Sequence, residues 1–157
     1  MLESLITKDA RADVEKERRH GIHGLAHCFK VAQLGVALAI SEGLDPVVPL
    51  LFGLYHDCRR ENDSCDPEHG PRAAALALYH FREGTLMITP AQLDLLVVAC
   101  RDHTKGLSSD DPIISACWDA DRLDLPRGNI QTKPSYLGTN MARELAEYQL
   151  DFYNGEL

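Results

Sequence analysis

Aromatic residues are scarce in this sequence, at 6% of 157 positions with a single tryptophan. Small aliphatics are plentiful instead, a balance that favours closely packed helices over sheets of bulky β-formers. The five cysteines (Cys28, Cys58, Cys65, Cys100, Cys117) include no C-x-x-C pair, and their number is odd. Three of them sit in apolar or mixed helical stretches, where a free thiol behaves as a small hydrophobe, so a reducing compartment is expected. No basic patch stands out, and the formal charge is −8. That speaks against a nucleic-acid polymer as partner, which would need clustered Lys and Arg. A small phosphate ester is still compatible, because a bound metal can supply positive charge that the protein lacks. The longest apolar stretches, VAQLGVALAI and PLLFGLY, fall short of the roughly 20 residues that span a bilayer. The first residues, MLESLITKDARADVEKERR, lack the apolar core of a signal peptide. The expectation is a cytoplasmic protein with no membrane association.

What is present is a normal globular composition, with 45% hydrophobic residues. At this length the chain can bury one good core, and residues 1–157 read as one all-α domain. Four dipeptides, Asp45-Pro46, Asp66-Pro67, Thr89-Pro90 and Asp111-Pro112, each set an N-cap residue before a proline at the first helical position. Gln92 follows Thr89 by three residues and completes a capping box. Apolar residues recur at helical spacing after these starts, as at Leu93, Leu96, Val97 and Cys100. The spacing predicts six to seven helices, near 10–19, 23–42, 46–60, 67–82, 90–104, 112–123 and 139–153. Gly43, Gly84 and Gly106 fall where helices should stop. One longer connection, near 124–138, contains Pro126, Gly128 and Pro134. The amphipathic segment MARELAEYQLDFY could pack on the core or on a second subunit, so oligomeric state is open.

The seven histidines matter by placement. His27 lies early on a long helix and His56-Asp57 at the end of the next. His69 opens a third, His103 ends a fourth, and Asp121 lies near the end of a fifth. Helices that present His and Asp at their ends can bring them together at one end of a bundle, where helical proteins often build metal sites. Imidazole and carboxylate together suit zinc, manganese, iron or cobalt better than calcium. Adjacent residues such as His56 and Asp57 point about 100° apart on a helix, so both reach one ion only near a helix end. His80 lies roughly 16 Å along the axis from His69, and one ion cannot use both. His23 shares a face with His27 and reads as a pocket-lining residue; His20 reads as solvated.

The ordered set HGLAHCFKV (23–31), LYHDCRREN (54–62), DPEHG (66–70), RDHT (101–104) and DADRLDL (119–125) resembles the HD superfamily of metal-dependent phosphohydrolases. The likeness covers roughly 20–127. It implies a five-helix core and a metal site of His27, His56, Asp57 and Asp121, with Asp121 preferred to Asp119 because it stands in Ala-Asp-Arg-Leu. His69 and His103 match the positions that hold a second ion in some members; Asp57 would then bridge the two, and with one ion both histidines could bond substrate oxygens instead. Arg60 stands where members carry a cation facing the phosphate, unless it pairs with Glu61, Asp63 or Glu68. Lys105 and Arg127 are further anion-binding candidates, and Arg122 is expected to brace the ligand loop through a carboxylate. The implied cofactor is one or two divalent ions (Mn, Zn, Co or Fe), the implied partner a small phosphorylated substrate such as a nucleotide. In that reading Asp57 and Arg60 are catalytic, and His23, Arg60 and Lys105 contact substrate. Two other readings of the same motifs are a di-iron oxygenase and a non-catalytic metal- or nucleotide-binding regulatory module. The sequence departs from the family at Arg59, where many members have Gly, and it lacks the GYP segment and the HD-x-x-E-D arrangement that mark two substrate branches.

Overall fold

The computed structural model describes residues 2–16, 21, 23–128 and 130–154, without the side chains of 127, 128 and 150–154. Its helices are α1 (Leu2–Leu5), α2 (Lys8–Glu15), α3 (Leu25–Ser41), α4 (Val47–Tyr55), α5 (His69–Arg82), α6 (Pro90–Asp102), α7 (Pro112–Leu123) and α8 (Asn140–Asn154). Two 3₁₀ turns, Leu125–Gly128 and Pro134–Tyr136, lie in the connection before α8. Among the described residues there is no strand, only an isolated antiparallel bridge between Ile6 and Leu86. The all-α expectation holds, with the short α1 as an additional helix. No described helix is long and apolar enough to cross a membrane.

Two of the four expected starts form as read. Thr89 and Gln92 make the reciprocal capping box of α6, and the Asp111 side chain accepts from Ile113 and Ile114 at the start of α7. Asp45 also accepts from Val47, at 2.9 Å. Asp66 does otherwise: its carboxylate accepts from the Glu61 backbone at 2.8 Å and from Arg72 at 2.6 Å. It fastens the loop of 60–68 to α5, which begins only at His69. Similarly, the helix expected from 23 starts at Leu25 after Gly24, and the one expected to 60 ends at Tyr55 and continues as tight turns. The helix expected over 10–19 spans Lys8–Glu15, and the rest of that range, with His20, lies largely outside the described residues.

The core is continuous across α3, α4, α6 and α7, with Val31, Leu38, Leu51, Phe52, Tyr55, Leu96, Ala99 and Cys117 fully enclosed. Burying each large apolar side chain stabilises the fold by about 1.5–3 kcal/mol. Two glycines set how closely the helices approach. A Cβ at Gly53 would stand 2.3 Å from the Ala32 amide nitrogen, so α3 and α4 meet backbone to backbone. A Cβ at Gly70 would stand 2.5 Å from the Cys100 carbonyl oxygen, and α5 meets α6 in the same way. These contacts bring the ends of α4, α5 and α6 beside one another. Of the cysteines, only Cys65 is exposed, and none of the five is in a disulfide.

Candidate metal centre

His56 caps the C-terminus of α4 and Asp57 follows in the turn. Beyond the helix end, neighbouring side chains need no longer diverge as they do on a regular helix. Both are buried, and both face His27 from α3. The Nε2 atoms of His27 and His56 lie 3.1 Å apart. Asp57 Oδ2 stands 3.6 Å from the first and 3.5 Å from the second. Asp121 Oδ1, from α7, stands 3.3 and 3.8 Å from the same two nitrogens. On the other side of Asp57, its Oδ1 lies 3.1 Å from His69 Nε2 and 3.7 Å from His103 Nε2. Those two nitrogens are 2.9 Å apart.

The protonation of the four rings follows from their partners. His27 Nδ1 faces Asp124 Oδ2 at 2.8 Å. His56 Nδ1 faces the Phe52 and Gly53 carbonyls at 3.1 and 3.2 Å. His103 Nδ1 faces the Cys100 carbonyl at 2.7 Å, and His69 Nδ1 the Asp66 carbonyl. Carbonyls and carboxylates accept, so each Nδ1 carries the hydrogen and each Nε2 presents a bare lone pair. Four lone pairs and two carboxylates therefore converge on one buried spot, which is repulsive unless a cation occupies it. Donor atoms about 2.0–2.2 Å from one ion stand roughly 3–3.5 Å from each other, close to the separations here. The imidazole–carboxylate mixture suits a divalent transition ion, and the Nδ1 partners are of the kind that orient metal-bound histidines. The two triplets His27–His56–Asp57 and Asp57–His69–His103 could each hold a metal ion.

The local electrostatics show that the two carboxylates draw positive charge to the cluster. Burial pushes the His56 ring down to about 3, keeping it neutral. Burial alone would raise the Asp57 and Asp121 carboxyls, but the surrounding histidines outweigh it and hold both below the usual carboxylate range. His103 is shifted up, the pull of Asp57 and Asp121 exceeding the effect of its burial.

The donor groups open onto a pocket of about 330 Å³ that also takes in His23, Arg60, Thr104, Leu107 and Arg122. Arg60 turns into it: Nη1 lies 3.7 Å from Asp57 Oδ1 and 2.9–3.0 Å from both His69 ring nitrogens, hence against the ring face. Nη2 donates to the Ser64 carbonyl at 3.1 Å, while the buried Nε has no partner among the described residues. The alternative pairing with Glu61, Asp63 or Glu68 does not form. His23 lines the pocket 2.9 Å from Asp63 and edge-on to His27.

Two expectations are corrected. Lys105 is exposed and does not line the pocket, because its neighbours Thr104 and Gly106 face inward instead. Arg122 braces the loop through the carbonyls of Gly106, Leu107 and Tyr136 rather than through a carboxylate. His80, expected not to share an ion with His69, is indeed buried away from the site, bonded to Tyr55 at 2.7 Å and facing Asp13 at 3.3 Å. Asp119 is also fully engaged elsewhere, accepting from Gly138 and Thr139 at the start of α8. The Arg127 side chain lies outside the described residues. Asp124, which aims His27, is a functional residue that the motifs alone do not mark. Its position three residues after Asp121, which puts both on one face, was the available signal.

No protein-family model matches this chain, and no curated protein does. Its fold matches the crystal structure of a predicted HD superfamily hydrolase from an uncultured Thermotogales bacterium, with a TM-score of 0.73 and 22% identity over 94% of this chain and 84% of that one. The chain thus has the helical fold of an HD-type protein, and its buried His/Asp cluster fits the HD motif.

Proposed function

We propose that this protein is a metal-dependent phosphohydrolase acting on a nucleotide or another small phosphoester. The observation that carries the reading is the convergence of four Nε2 lone pairs and two ionised carboxylates beside a pocket-facing arginine. His27, His56, Asp57 and Asp121 would hold a first divalent ion, and His69, His103 and the second oxygen of Asp57 another. An ion bound there supplies Lewis-acid polarisation of a phosphoryl oxygen and lowers the pKa of water from 15.7 toward about 7.

The remaining work falls to the chain. Asp57 and Asp121, whose carboxyls lie below the usual carboxylate range, can accept the hydrogen bond that orients an attacking water. Arg60 offers a cationic guanidinium where charge develops on the phosphoryl oxygens. Its unpartnered Nε and the stacked His69 ring leave the guanidinium able to turn toward an anion. The reading also draws on the shared fold, since the neighbour is a predicted hydrolase.

Metal content by mass spectrometry, on protein purified without chelator, tests this together with phosphate release. One or two equivalents of manganese, zinc, cobalt or iron, with turnover of a phosphoester, are expected. A folded chain that takes up none of these ions would overturn the reading. Iron with oxygen consumption on a diol or phosphonate, and no phosphate release, would replace it with the oxygenase; tight nucleotide binding without turnover would replace it with the regulatory module.

A further inference from the structure

Among its described residues, the connection between α7 and α8 brings to the metal centre only Asp124, the partner of His27 Nδ1, yet it walls a second pocket. That pocket, of about 190 Å³, shares Arg122 and Leu125 with the metal pocket and adds Ile130, Gln131 and Tyr136. The two are therefore adjoining chambers. One is polar, with the donor groups at its floor; the other is bounded almost wholly by apolar atoms. Leu107, Ile130 and Tyr136, at 72%, 56% and 52% exposure, flank them. An acidic protein has little reason to gather exposed apolar side chains at the mouth of a charged pocket unless they meet an apolar group.

The polar groups narrow what that group is. Arg122 is committed to three main-chain carbonyls, so it stiffens the partition between the chambers and has little left for an anion. Gln131 is exposed, and its amide makes no hydrogen bond among the described residues. It offers a donor and an acceptor side by side, the pattern that pairs with the edge of a purine. The Tyr136 ring is half-exposed, with Lys133 Nζ 5.7 Å from its centre. A ring face, aliphatic walls and a free amide together suit a flat heteroaromatic ring; a sugar alone would leave the apolar walls unused.

We propose that this second chamber is a nucleobase subsite, so that the substrate whose phosphate meets the metal centre is a nucleotide rather than a sugar phosphate. The proposal rests on the phosphoester reading above. Stacking against Tyr136 supplies affinity, and Gln131 supplies a preference among bases.

The test pairs binding with turnover on the zinc-loaded full chain. Saturation-transfer NMR with adenosine and with adenosine 5′-monophosphate reads ring contact without chemistry. The ratio of kcat/KM for adenosine 5′-monophosphate over ribose 5-phosphate reads the chamber's contribution to turnover. Both are repeated on Tyr136→Ala/Ile130→Glu and on Gln131→Ala, which alter exposed positions. Expected are saturation of the adenine protons in the wild type, its loss in the double variant, and a fall in the ratio of about tenfold or more, the scale of one stacked base lost. Gln131→Ala should reduce the ratio less. No saturation of either adenine ring, equal kcat/KM for the two esters, or a ratio unmoved by the double variant would each overturn the subsite. Adenine saturation that the double variant abolishes, with no phosphate released from any ester, would keep the subsite and defeat the hydrolase reading instead.

Discussion

The two donor groups share Asp57 but are held in different ways. In the second group each histidine bonds a main-chain carbonyl three residues earlier, Asp66 for His69 and Cys100 for His103. Those rings are aimed by their own turns. In the first group His56 does the same with Phe52 and Gly53, but His27 depends on Asp124, 97 positions away. Local bonds form wherever the turn forms. A ring aimed by a distant carboxylate is only as well placed as the packing of α3 against α7.

Asp57 is where the difference disappears, and Asp57→Ala carries the largest expected effect. It removes one oxygen from each group, so metal content should fall toward zero and phosphate release by at least about a hundredfold, as effects of 10–100-fold already follow from outer partners. A fully active, metal-replete variant would sink the assignment of both groups. Next comes Gly53→Ala, aimed at the first group's dependence on packing. Its methyl would collide with the Ala32 backbone, which has no room to yield. Overpacking of this kind costs about 1–3 kcal/mol, a fall in Tm of roughly 3–10 °C for a domain of this size, read by thermal unfolding with chelator present.

Two variants then separate the groups. Asp124→Asn leaves a side chain of the same shape that can no longer fix the His27 tautomer by charge. First-ion affinity should drop about 10–100-fold, seen by competitive metal titration, with the second ion little changed. His69→Ala does the reverse, lowering a two-ion stoichiometry to one. If both variants lost the same ion, the division into two groups would be wrong.

The sequence made the candidate ligands visible because histidine and aspartate at helix ends, in a fixed order, form an unusual pattern. The fold class followed from caps and periodicity, which are local. What could not be read was set by tertiary contact. Asp66 looks like an N-cap in DPEHG, yet Glu61 and Arg72 take its carboxylate. Arg122 sits among acidic residues in DADRLDL, yet it reaches carbonyls brought near by the folding of two loops. Lys105 lies one residue from pocket-lining neighbours on both sides. No spacing rule says which way such a turn faces.

The smallest effect should come from a contact that serves both groups equally. Arg59 and Arg60 follow the His-Asp doublet and diverge: Arg60 enters the pocket, while Arg59 reaches back to Asp13 of α2 in a two-oxygen pair at 2.9 and 3.0 Å. That pair clips the turn carrying Asp57 to the outer helix. Burial would raise the Asp13 carboxyl, but Arg59 and His80 outweigh it and hold it below its ordinary value of 3.8. A carboxyl depressed in the folded state stabilises fully above its unfolded pKa, and the gain is lost as pH falls through the folded value. Asp13→Asn should therefore lower stability slightly at neutral pH. The difference from wild type should shrink below about pH 4, read by denaturant unfolding across pH. Because the clip acts on Asp57 from behind, both ions should weaken by the same small factor. A loss confined to one of them would mean that the turn from 56 to 60 is not a shared rigid support, and the two groups would then be more independent than their common carboxylate implies.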